Sequence, residues 1–294
     1  MTKFNTKFEP HYGQALTLSP LIRRIVAHNP SPYTFHGTGT YLIGHEEIAV
    51  IDPGPKDHDH IQNILNVAQG KISHILITHN HTDHSPGARL LQKETGAPIY
   101  GYEAFPITTA KGQSGGEGLD RDYSPDQALA DGDILKSKEW TIEAIHTPGH
   151  LPNHLCFALQ EENALFSGDH VMGWSTTVVI PPYGSMGDYM HSLKKIEMRN
   201  EEIFYPTHGN PIKAPQRFTR SLYNHRRLRE DQILKQLRSG AQSVEQMVPE
   251  LYPSLDPRLI LPASMSVTAH LVYLVEKNKV AQSLKDGTTY YSLI

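Results

Sequence analysis

The stretch THNHTDHSPG (residues 78–87) follows the apolar run ISHILI and constrains the chain more than any other feature. Alternate residues of an extended strand point the same way, so His79 and His81 can approach one cation together. Asp83 and His84 follow where the chain turns toward a predicted helix, and they can face a second cation nearby. Imidazole and carboxylate donors suit zinc, iron or manganese. The stretch predicts a metal site whose remaining ligands come from elsewhere in the chain.

The missing ligands are expected at the ends of other strands, where a rigid sheet can aim a side chain from a loop. HTPGH provides His150 after a strand and a Pro-Gly turn, FSGD provides Asp169, and YPTHG provides His208. Cys156 is the only cysteine of the chain, so a thiolate-rich zinc site and an internal disulfide are both excluded. The sequence therefore predicts a site built from histidine and aspartate alone.

Short apolar runs alternate with turn signals over the first 215 residues, which predicts strands with interspersed helices in a layered α/β arrangement. One helix is predicted to stop at Gly70, and another to begin with Ser85 as N-cap and Pro86 as its first residue. The polar stretch at 112–123 lacks the Gly-Lys-Ser/Thr ending of a phosphate-binding loop, so we interpret it as a cover or surface loop.

The character of the chain changes at Pro215. A long amphipathic helix is predicted to run from there to Gly240, and Ser243 with Gln246 forms a predicted capping box at the next helix. A third helix and two strands around an Asp-Gly turn complete the chain. Three helices closed by a hairpin indicate a small module resembling a winged helix-turn-helix.

Taken together, these motifs resemble the metallo-β-lactamase superfamily over residues 25–215. The resemblance includes GTGTYLIG and IAVIDPGP near the start, and the ligand order is that of the glyoxalase II-like branch. It implies an α+β fold of four layers, αββα, with a catalytic domain at 1–215. The tail, 216–294, resembles the winged-helix domain attached to lactamase-β-like proteins. Thr207 is a departure, because relatives often carry Gly before the last ligand.

The resemblance also implies how the ligands divide between two ions. His79, His81 and His150 would hold the first ion, Asp83, His84 and His208 the second, with Asp169 as the bridge. The expected cofactor is two Zn²⁺ per chain, with iron or manganese as alternatives, and Asp83 is also assigned the catalytic role. Two such ions about 3.5–4 Å apart can share a hydroxide. We take Asp52 as the carboxylate that orients a ligand histidine.

Other histidines and aromatic residues receive less specific interpretations. The HDH run at 58–60 is expected to be a solvated helix start, and His146, His154 and His170 to order loops or ligands. Tyr183 and Tyr189, with the STTVV segment at 175–179, are expected either to shape a substrate pocket or simply to pack in loops.

Composition and charge restrict the function only in part. The chain has a formal charge of −4, which argues against a surface generally coated by nucleic acid, but residues from 216 onward carry 11 Lys and Arg against 7 Asp and Glu. No apolar leader and no run of 18 apolar residues occurs, so we expect a cytoplasmic protein without a membrane partner. A homodimer stays open.

Three functions remain open on the sequence. The first is hydrolysis of a small thioester, ester or lactone. The second is endonucleolytic cleavage of single-stranded RNA, in which Arg226 and Arg227 would contact phosphates. The third is a metal-dependent regulator that binds DNA through the winged helix. The complete ligand set favours an enzyme, a metal-dependent hydrolase, over a regulator.

Overall fold

A computed structural model describes residues 2–109, 116 and 118–294 of the chain. Within these residues, the chain forms a seven-stranded sheet, a six-stranded sheet and a separate three-stranded sheet. Residues 112–115 and 117 of the predicted cover loop lie outside the described part. In the described residues, no helix has the length and apolar character needed to cross a membrane.

The first sheet contains its strands in chain order. They are β1 Leu16–Thr17, β2 Ile22–Val26, β3 Gly39–Ile43, β4 Ile48–Ile51, β5 Ile72–Leu76, β6 Ile99–Gly101 and β7 Gln127–Ala128. Strands β1 to β4 pair antiparallel, whereas β4 to β7 pair parallel. Because β4 and β5 are parallel neighbours, the residues that follow each of them emerge at the same edge of the sheet.

The second sheet has the order β13-β12-β11-β10-β9-β8. Its strands are β8 Ile134–Lys136, β9 Thr141–His146, β10 Leu155–Leu159, β11 Ala164–Gly168, β12 Ile203–Pro206 and β13 Ile212–Lys213. Only the β11–β12 pair among these is parallel in the described residues. The residues after β11 and β12 therefore also emerge together, which is where Asp169 and His208 lie.

Six α-helices occur in the described residues. They are α1 His58–Ala68, α2 Gly87–Thr95, α3 Met186–Glu197, α4 Pro215–Gln236, α5 Val244–Leu251 and α6 Ile260–Glu276. One apolar core, which includes Trp140 and Phe157, lies between the two sheets. A second core joins α1 and α2 to the first sheet, and a third joins α3 and α4 to the second sheet. The four-layer αββα prediction is confirmed.

The start of α2 differs from the prediction. The helix begins at Gly87 with Pro86 at the cap position, and Ser85 Oγ donates to Asp120 Oδ2 at 2.6 Å instead of capping the helix. Gly87 N donates to the carbonyl oxygen of Gly54 at 2.9 Å, and a Cβ on Gly87 would lie only 2.9 Å from that oxygen. Backbone packing against the turn after β4, which is remote in sequence, therefore decides where α2 starts.

The C-terminal module has the predicted elements. Ser243 and Gln246 form the capping box at the start of α5, and β15 Val280–Lys285 pairs with β16 Thr288–Leu293 across the Asp-Gly turn. Strand β14 Gln242–Ser243 adds to β16. These elements enclose their own apolar core with the C-terminal half of α4, whereas Leu222 in the first half of α4 packs in the core of the second sheet. Helix α4 thus belongs to two cores.

Candidate metal centre

All seven predicted ligands lie close together, because four chain segments deliver them to one edge of the two sheets. The loop after β5 contributes the first four, and the β9–β10 loop contributes His150. Asp169 follows β11, and His208 follows β12. Loops carry the side chains, while parallel strand pairs in each sheet set their positions.

The first three-residue group consists of histidines. His79 Nε2 lies 2.9 Å from His81 Nδ1, and His81 Nδ1 lies 3.0 Å from His150 Nε2. Three ring nitrogens that face the same small volume can bind one cation together. In this group, His81 alone presents its Nδ1 atom to the shared space.

The second group is Asp83, His84 and His208. Asp83 Oδ2 lies 3.3 Å from His84 Nε2 and 3.2 Å from His208 Nε2. Asp169 lies between the two groups: its Oδ2 is 3.7 Å from both His150 Nε2 and His84 Nε2, and its Oδ1 is 3.4 Å from His208 Nε2. The carboxylate of Asp169 therefore faces histidines of both groups.

Hydrogen bonds on the opposite ring nitrogen orient four of the histidines. His84 Nδ1 lies 2.8 Å from Asp52 Oδ2, and His79 Nδ1 lies 3.0 Å from Thr78 Oγ1. The other two contact backbone carbonyl oxygens: His150 Nδ1 lies 2.6 Å from that of Val178, and His208 Nδ1 lies 3.0 Å from that of Gly37. When Nδ1 carries the proton, Nε2 presents a lone pair to the shared space.

Asp52 contacts a candidate ligand, His84, as the sequence predicted, and it makes further hydrogen bonds. Its Oδ1 accepts from Thr78 N at 2.8 Å, and its Oδ2 accepts from Thr78 Oγ1 at 2.8 Å and from Thr207 Oγ1 at 3.0 Å, as well as from His84. The backbone of Asp52 has a φ of 49°, a left-handed conformation that aspartate tolerates better than most residues. One buried carboxylate thus ties together the ends of β4, β5 and β12.

Buried atoms without partners show that the residues fit cations. His84 Nε2, His208 Nε2 and Asp169 Oδ1 are buried and have no hydrogen-bond partner in the described protein. Buried polar atoms are normally satisfied, so three unsatisfied atoms that converge on one volume match the donor set of a metal site. Nitrogen and carboxylate oxygen donors without sulfur suit zinc, iron or manganese.

The protonation states differ between the two groups. Burial, followed by neighbouring histidines, lowers the pKa of His79 well below its usual value, and burial lowers the pKa of His81 to about 3. Burial would also lower the pKa of His84, but Asp83, Asp169 and Asp52 together raise that pKa well above its usual value. In the absence of a metal, these shifts favour neutral imidazole in the first group and favour the protonated form of His84 beside the carboxylates of the second.

A cleft of about 320 Å³ opens over the ligands. His81, Asp83, His150 and Asp169 form its polar floor, and the described walls combine hydroxyl and apolar side chains. The wall residues are Ser31, Tyr33, Thr34, Thr82, Gly118, Leu151, Met172, Val178 and Ile180. The Gly118 carbonyl accepts from Thr82 N at 2.7 Å, so the described end of the 112–123 loop lies against the stretch that contains the first four candidate ligands.

Two of the less specific expectations, those for His60 and Arg226, need correction, and Tyr189 follows the packing alternative. His60 is buried, not solvated: its Nε2 lies 2.8 Å from Thr40 Oγ1, and burial lowers its pKa to about 4. Tyr189 packs in the core beneath the second sheet instead of lining the cleft. Arg226, expected to contact phosphates, is 4% exposed. In each case the side chain is covered by an element distant in sequence.

The additional histidines near the ligands order the surrounding loops. His154 Nε2 accepts from Asp169 N at 3.1 Å, and His146 Nε2 lies 2.8 Å from the Pro152 carbonyl oxygen. The buried ring of His170 packs against Tyr189. Sequence reasoning missed the roles of the Gly37 and Val178 carbonyls, because a backbone acceptor leaves no signal in residue identity.

Comparison with known proteins identifies the family. The sequence pattern of the metallo-β-lactamase superfamily matches residues 33–208. The chain belongs to this superfamily. The pattern of the beta-lactamase associated winged helix domain matches residues 243–288. Both resemblances noted in the sequence are confirmed, and the protein is a metallo-β-lactamase superfamily hydrolase.

Relatives of this superfamily protein cover most of its length. An atrochrysone carboxyl ACP thioesterase of Cryptosporiopsis sp. (strain 8999) is 32% identical over 92% of this chain and 84% of its own. A beta-lactamase-like protein 2 homolog of Caenorhabditis elegans is 36% identical over 75% and 72%. The crystal structure of a beta-lactamase domain protein from Burkholderia ambifaria superposes with a TM-score of 0.82 at 19% identity, over 97% and 95%, and thus shares the fold.

Proposed function

We propose that this metallo-β-lactamase superfamily protein hydrolyses a thioester at a site of two cations, with Zn²⁺ as the preferred metal. One observation carries the proposal: a cleft without basic side chains on its described wall opens directly over two converging groups of metal donors. The similarity to a protein named as an acyl-carrier-protein thioesterase supports the choice of substrate class. The seven His and Asp residues described above are the proposed ligands.

The proposed division of ligands follows the three-residue groups. His79, His81 and His150 would hold one ion, Asp83, His84 and His208 the other, and Asp169 would bridge them. Bound ions of this kind supply Lewis acidity, which lowers the pKa of water toward neutrality and stabilises charge on the attacked oxygen. Asp83, whose side chain is 24% exposed and lines the cleft, would orient the attacking water.

The described cleft wall favours a thioester over a carboxylic ester or a lactone. Apart from the proposed ligands, Tyr33 is the one titratable side chain among the described lining residues. An alcohol leaving group benefits from a proton donor, because an alkoxide is strongly basic. A thiol has an ordinary pKa of about 8.5 and can leave as thiolate without one. Among these carbonyl substrates, a thioester therefore depends least on a proton donor in the cleft wall.

The same wall disfavours an RNA substrate. The described lining residues include neither Lys nor Arg, although proteins that bind phosphate backbones neutralise phosphates with such side chains. Arg226, one of the two arginines that the RNA hypothesis requires, is buried. The burial of Arg226 therefore removes one of the two basic side chains of the tail that were expected to contact RNA phosphates.

The structure of α6 argues against a DNA-binding regulator. One side of this helix, including Val267 and Leu271, packs in the core of the C-terminal module. Ala269 on another side packs in the core beneath the second sheet, with Tyr273 beside it. A recognition helix must offer a free face to the major groove, and much of the surface of α6 is covered by protein.

The cleft continues toward the C-terminal module. Ile180 lines both the cleft and a neighbouring groove of about 440 Å³, which also contains Pro181. The other side of the groove is formed by α6, where Leu261, Met265 and Thr268 have helical spacing, and by the β15–β16 turn. The described lining combines apolar and hydroxyl side chains with one carboxylate, Glu245, and contains no Lys or Arg. The groove therefore suits the long arm of a thioester, rich in amide and hydroxyl donors, whose carbonyl lies over the proposed ions.

The decisive experiment is turnover by metal-reconstituted protein on two substrate panels. One panel contains thioesters, esters and lactones, and the other contains single-stranded RNA. The Asp83→Ala variant and a chelator serve as negative controls, while Asp59→Ala, at an exposed position of α1, is the matched control. We expect thioester turnover that is lost with Asp83→Ala and with chelator but kept with Asp59→Ala.

Other outcomes would contradict the proposal in distinguishable ways. RNA cleavage that depends on Asp83 and on metal would replace the thioester by a phosphodiester. Turnover restricted to esters or lactones would overturn the argument from the leaving group. Absence of bound metal after reconstitution would overturn the ligand assignment itself.

A further inference from the structure

Arg226 is a buried cation at the junction of α4 with the catalytic layers. It is 4% exposed, whereas its neighbour Arg227 is exposed. None of the ion pairs among the described residues includes Arg226. Burying a charge without a carboxylate partner is unfavourable unless strong hydrogen bonds compensate. The position of Arg226 therefore requires a specific acceptor.

That acceptor is the backbone of the segment that lines the cleft. Arg226 Nη2 donates to the Thr177 carbonyl oxygen, and the guanidinium lies 5.4 Å from the centre of the Tyr189 ring. The Tyr189 hydroxyl in turn donates to the His170 carbonyl oxygen at 3.2 Å. Arg226 thus contacts the 170–177 loop directly and also through an aromatic ring.

The side chain of Thr177 contacts the backbone of the proposed ligand Asp169. Its Oγ1 lies 2.8 Å from the Asp169 carbonyl oxygen and 3.0 Å from that of His170, and it donates to this pair of acceptors. The next carbonyl oxygen along the chain, that of Val178, accepts from His150 Nδ1 at 2.6 Å. Two proposed ligands, Asp169 and His150, therefore depend on the placement of residues 177 and 178.

We infer that Arg226 is a positioning residue of the metal centre. By holding the Thr177 carbonyl, it places the Val178 carbonyl that keeps the proton of His150 on Nδ1 and leaves Nε2 free for the ion. Helix α4 thereby contributes to the first cation group, although none of its residues is among the described residues that line the cleft. This inference relies on the proposed metal site but not on the proposed substrate.

The chemistry of arginine explains why this residue type stands here. Its guanidinium remains charged when buried and offers several donors in a rigid plane, so it can bind a carbonyl and lie over an aromatic ring at once. Lysine would keep the charge but has one donor group on a flexible stem. Methionine would keep much of the volume and lose both charge and donor. Lysine at position 226 should therefore keep part of the interaction with the Thr177 carbonyl, and methionine should remove it.

The test compares Arg226→Met and Arg226→Lys with the exposed control Arg227→Met in the full chain. Co²⁺ is titrated into metal-free protein, and its visible absorption spectrum reports the ligand geometry, while thermal unfolding reports stability separately. We expect Arg226→Met to weaken Co²⁺ binding at the first group, which contains His150, about 10- to 100-fold. This is the usual effect of removing a hydrogen bond that supports a metal ligand. Its spectrum should change, Arg226→Lys should be intermediate, and Arg227→Met should match the parent.

Several results would overturn the inference. Unchanged Co²⁺ affinity and spectrum in Arg226→Met, with only a lower Tm, would make the residue structural. Equal weakening by Arg226→Met and Arg227→Met would indicate a general effect of lost charge. If Arg226→Met does not fold, Arg226→Lys decides, and an unchanged spectrum in that variant counts against the inference. Because the readout is metal binding, failure of the thioester proposal would leave this result interpretable.

Discussion

Asp52 and His84 form a fully buried pair in which His84 Nδ1 lies 2.8 Å from Asp52 Oδ2. Among the described residues, the opposite nitrogen of His84 has no hydrogen-bond partner, and it points toward Asp83 and Asp169. The pair thus connects the end of β4 to the second cation group. Because Asp52 also accepts from Thr78 and Thr207, its carboxylate is the structural centre on which both groups of proposed ligands depend.

Replacing Asp52 should mainly weaken metal binding. In Asp52→Ala, His84 Nδ1 and Thr78 N lose their acceptor, and we expect metal affinity to fall about 10- to 100-fold. Asp52→Asn keeps an acceptor and tolerates the left-handed backbone, so its loss should be smaller. Isothermal metal titration measures both variants, with the exposed Asp59→Asn as the matched control. Equal affinities for parent and Asp52→Ala would contradict the role.

The hydroxyl of Thr207 should contribute to stability through its bond to Asp52. Thr207→Val keeps the shape but removes the donor, and we expect the free energy of unfolding to fall by about 1.5–3 kcal/mol, as for hydrogen bonds to charged groups. Thr207→Ser retains the hydroxyl and should stay closer to the parent. Calorimetric Tm values of the metal-free proteins provide the comparison. Equal destabilisation by Val and Ser would assign the effect to packing instead.

Metal occupancy should depend on pH differently for the two groups. The raised pKa values of His84 and His208 mean that these rings keep protons in metal-free protein near neutrality, so an ion must displace them. Affinity at the second group should therefore fall as pH drops through those raised values. His79, His81 and His150 have lowered pKa values and stay neutral, so the first group should remain occupied at lower pH.

Equilibrium dialysis with metal analysis, from about pH 9 to about pH 5, covers the range in which histidines titrate. We expect two ions per chain at the alkaline end and one ion over an intermediate range. Simultaneous loss of both ions at a single pH would contradict the difference between the groups.

Filling the groove beside the cleft should discriminate between long and short thioesters. Met265→Trp places a larger side chain on the groove wall, and we expect KM for a pantetheine thioester to rise about tenfold with little change in kcat, the pattern of lost uniform binding. A short cysteamine thioester should be unaffected. Leu228→Trp, at an exposed position of α4, is the control. Equal effects on both substrates would place the arm elsewhere.

Local sequence was sufficient for a large part of the fold. Strand and helix periodicity, the Ser243–Gln246 capping box and the Asp-Gly hairpin depend on interactions between residues close in the chain, and each appears as predicted. The order of the candidate ligands was also readable, since each is a chemically distinctive residue at a strand end. Convergence of the ligands followed from resemblance to a known family, because no local rule brings residues 79 and 208 together.

Tertiary structure alone decided which side chains are covered and what they contact. Arg226 reads as a surface charge in HRRLR, yet it is buried against a carbonyl 49 positions away. His60 reads as a solvated helix start, yet it packs against Thr40. Ser85 reads as a cap, yet its hydroxyl donates a hydrogen bond to Asp120. Burial and hydrogen bonding depend on where distant elements pack, and residue identity at one position carries no record of that packing.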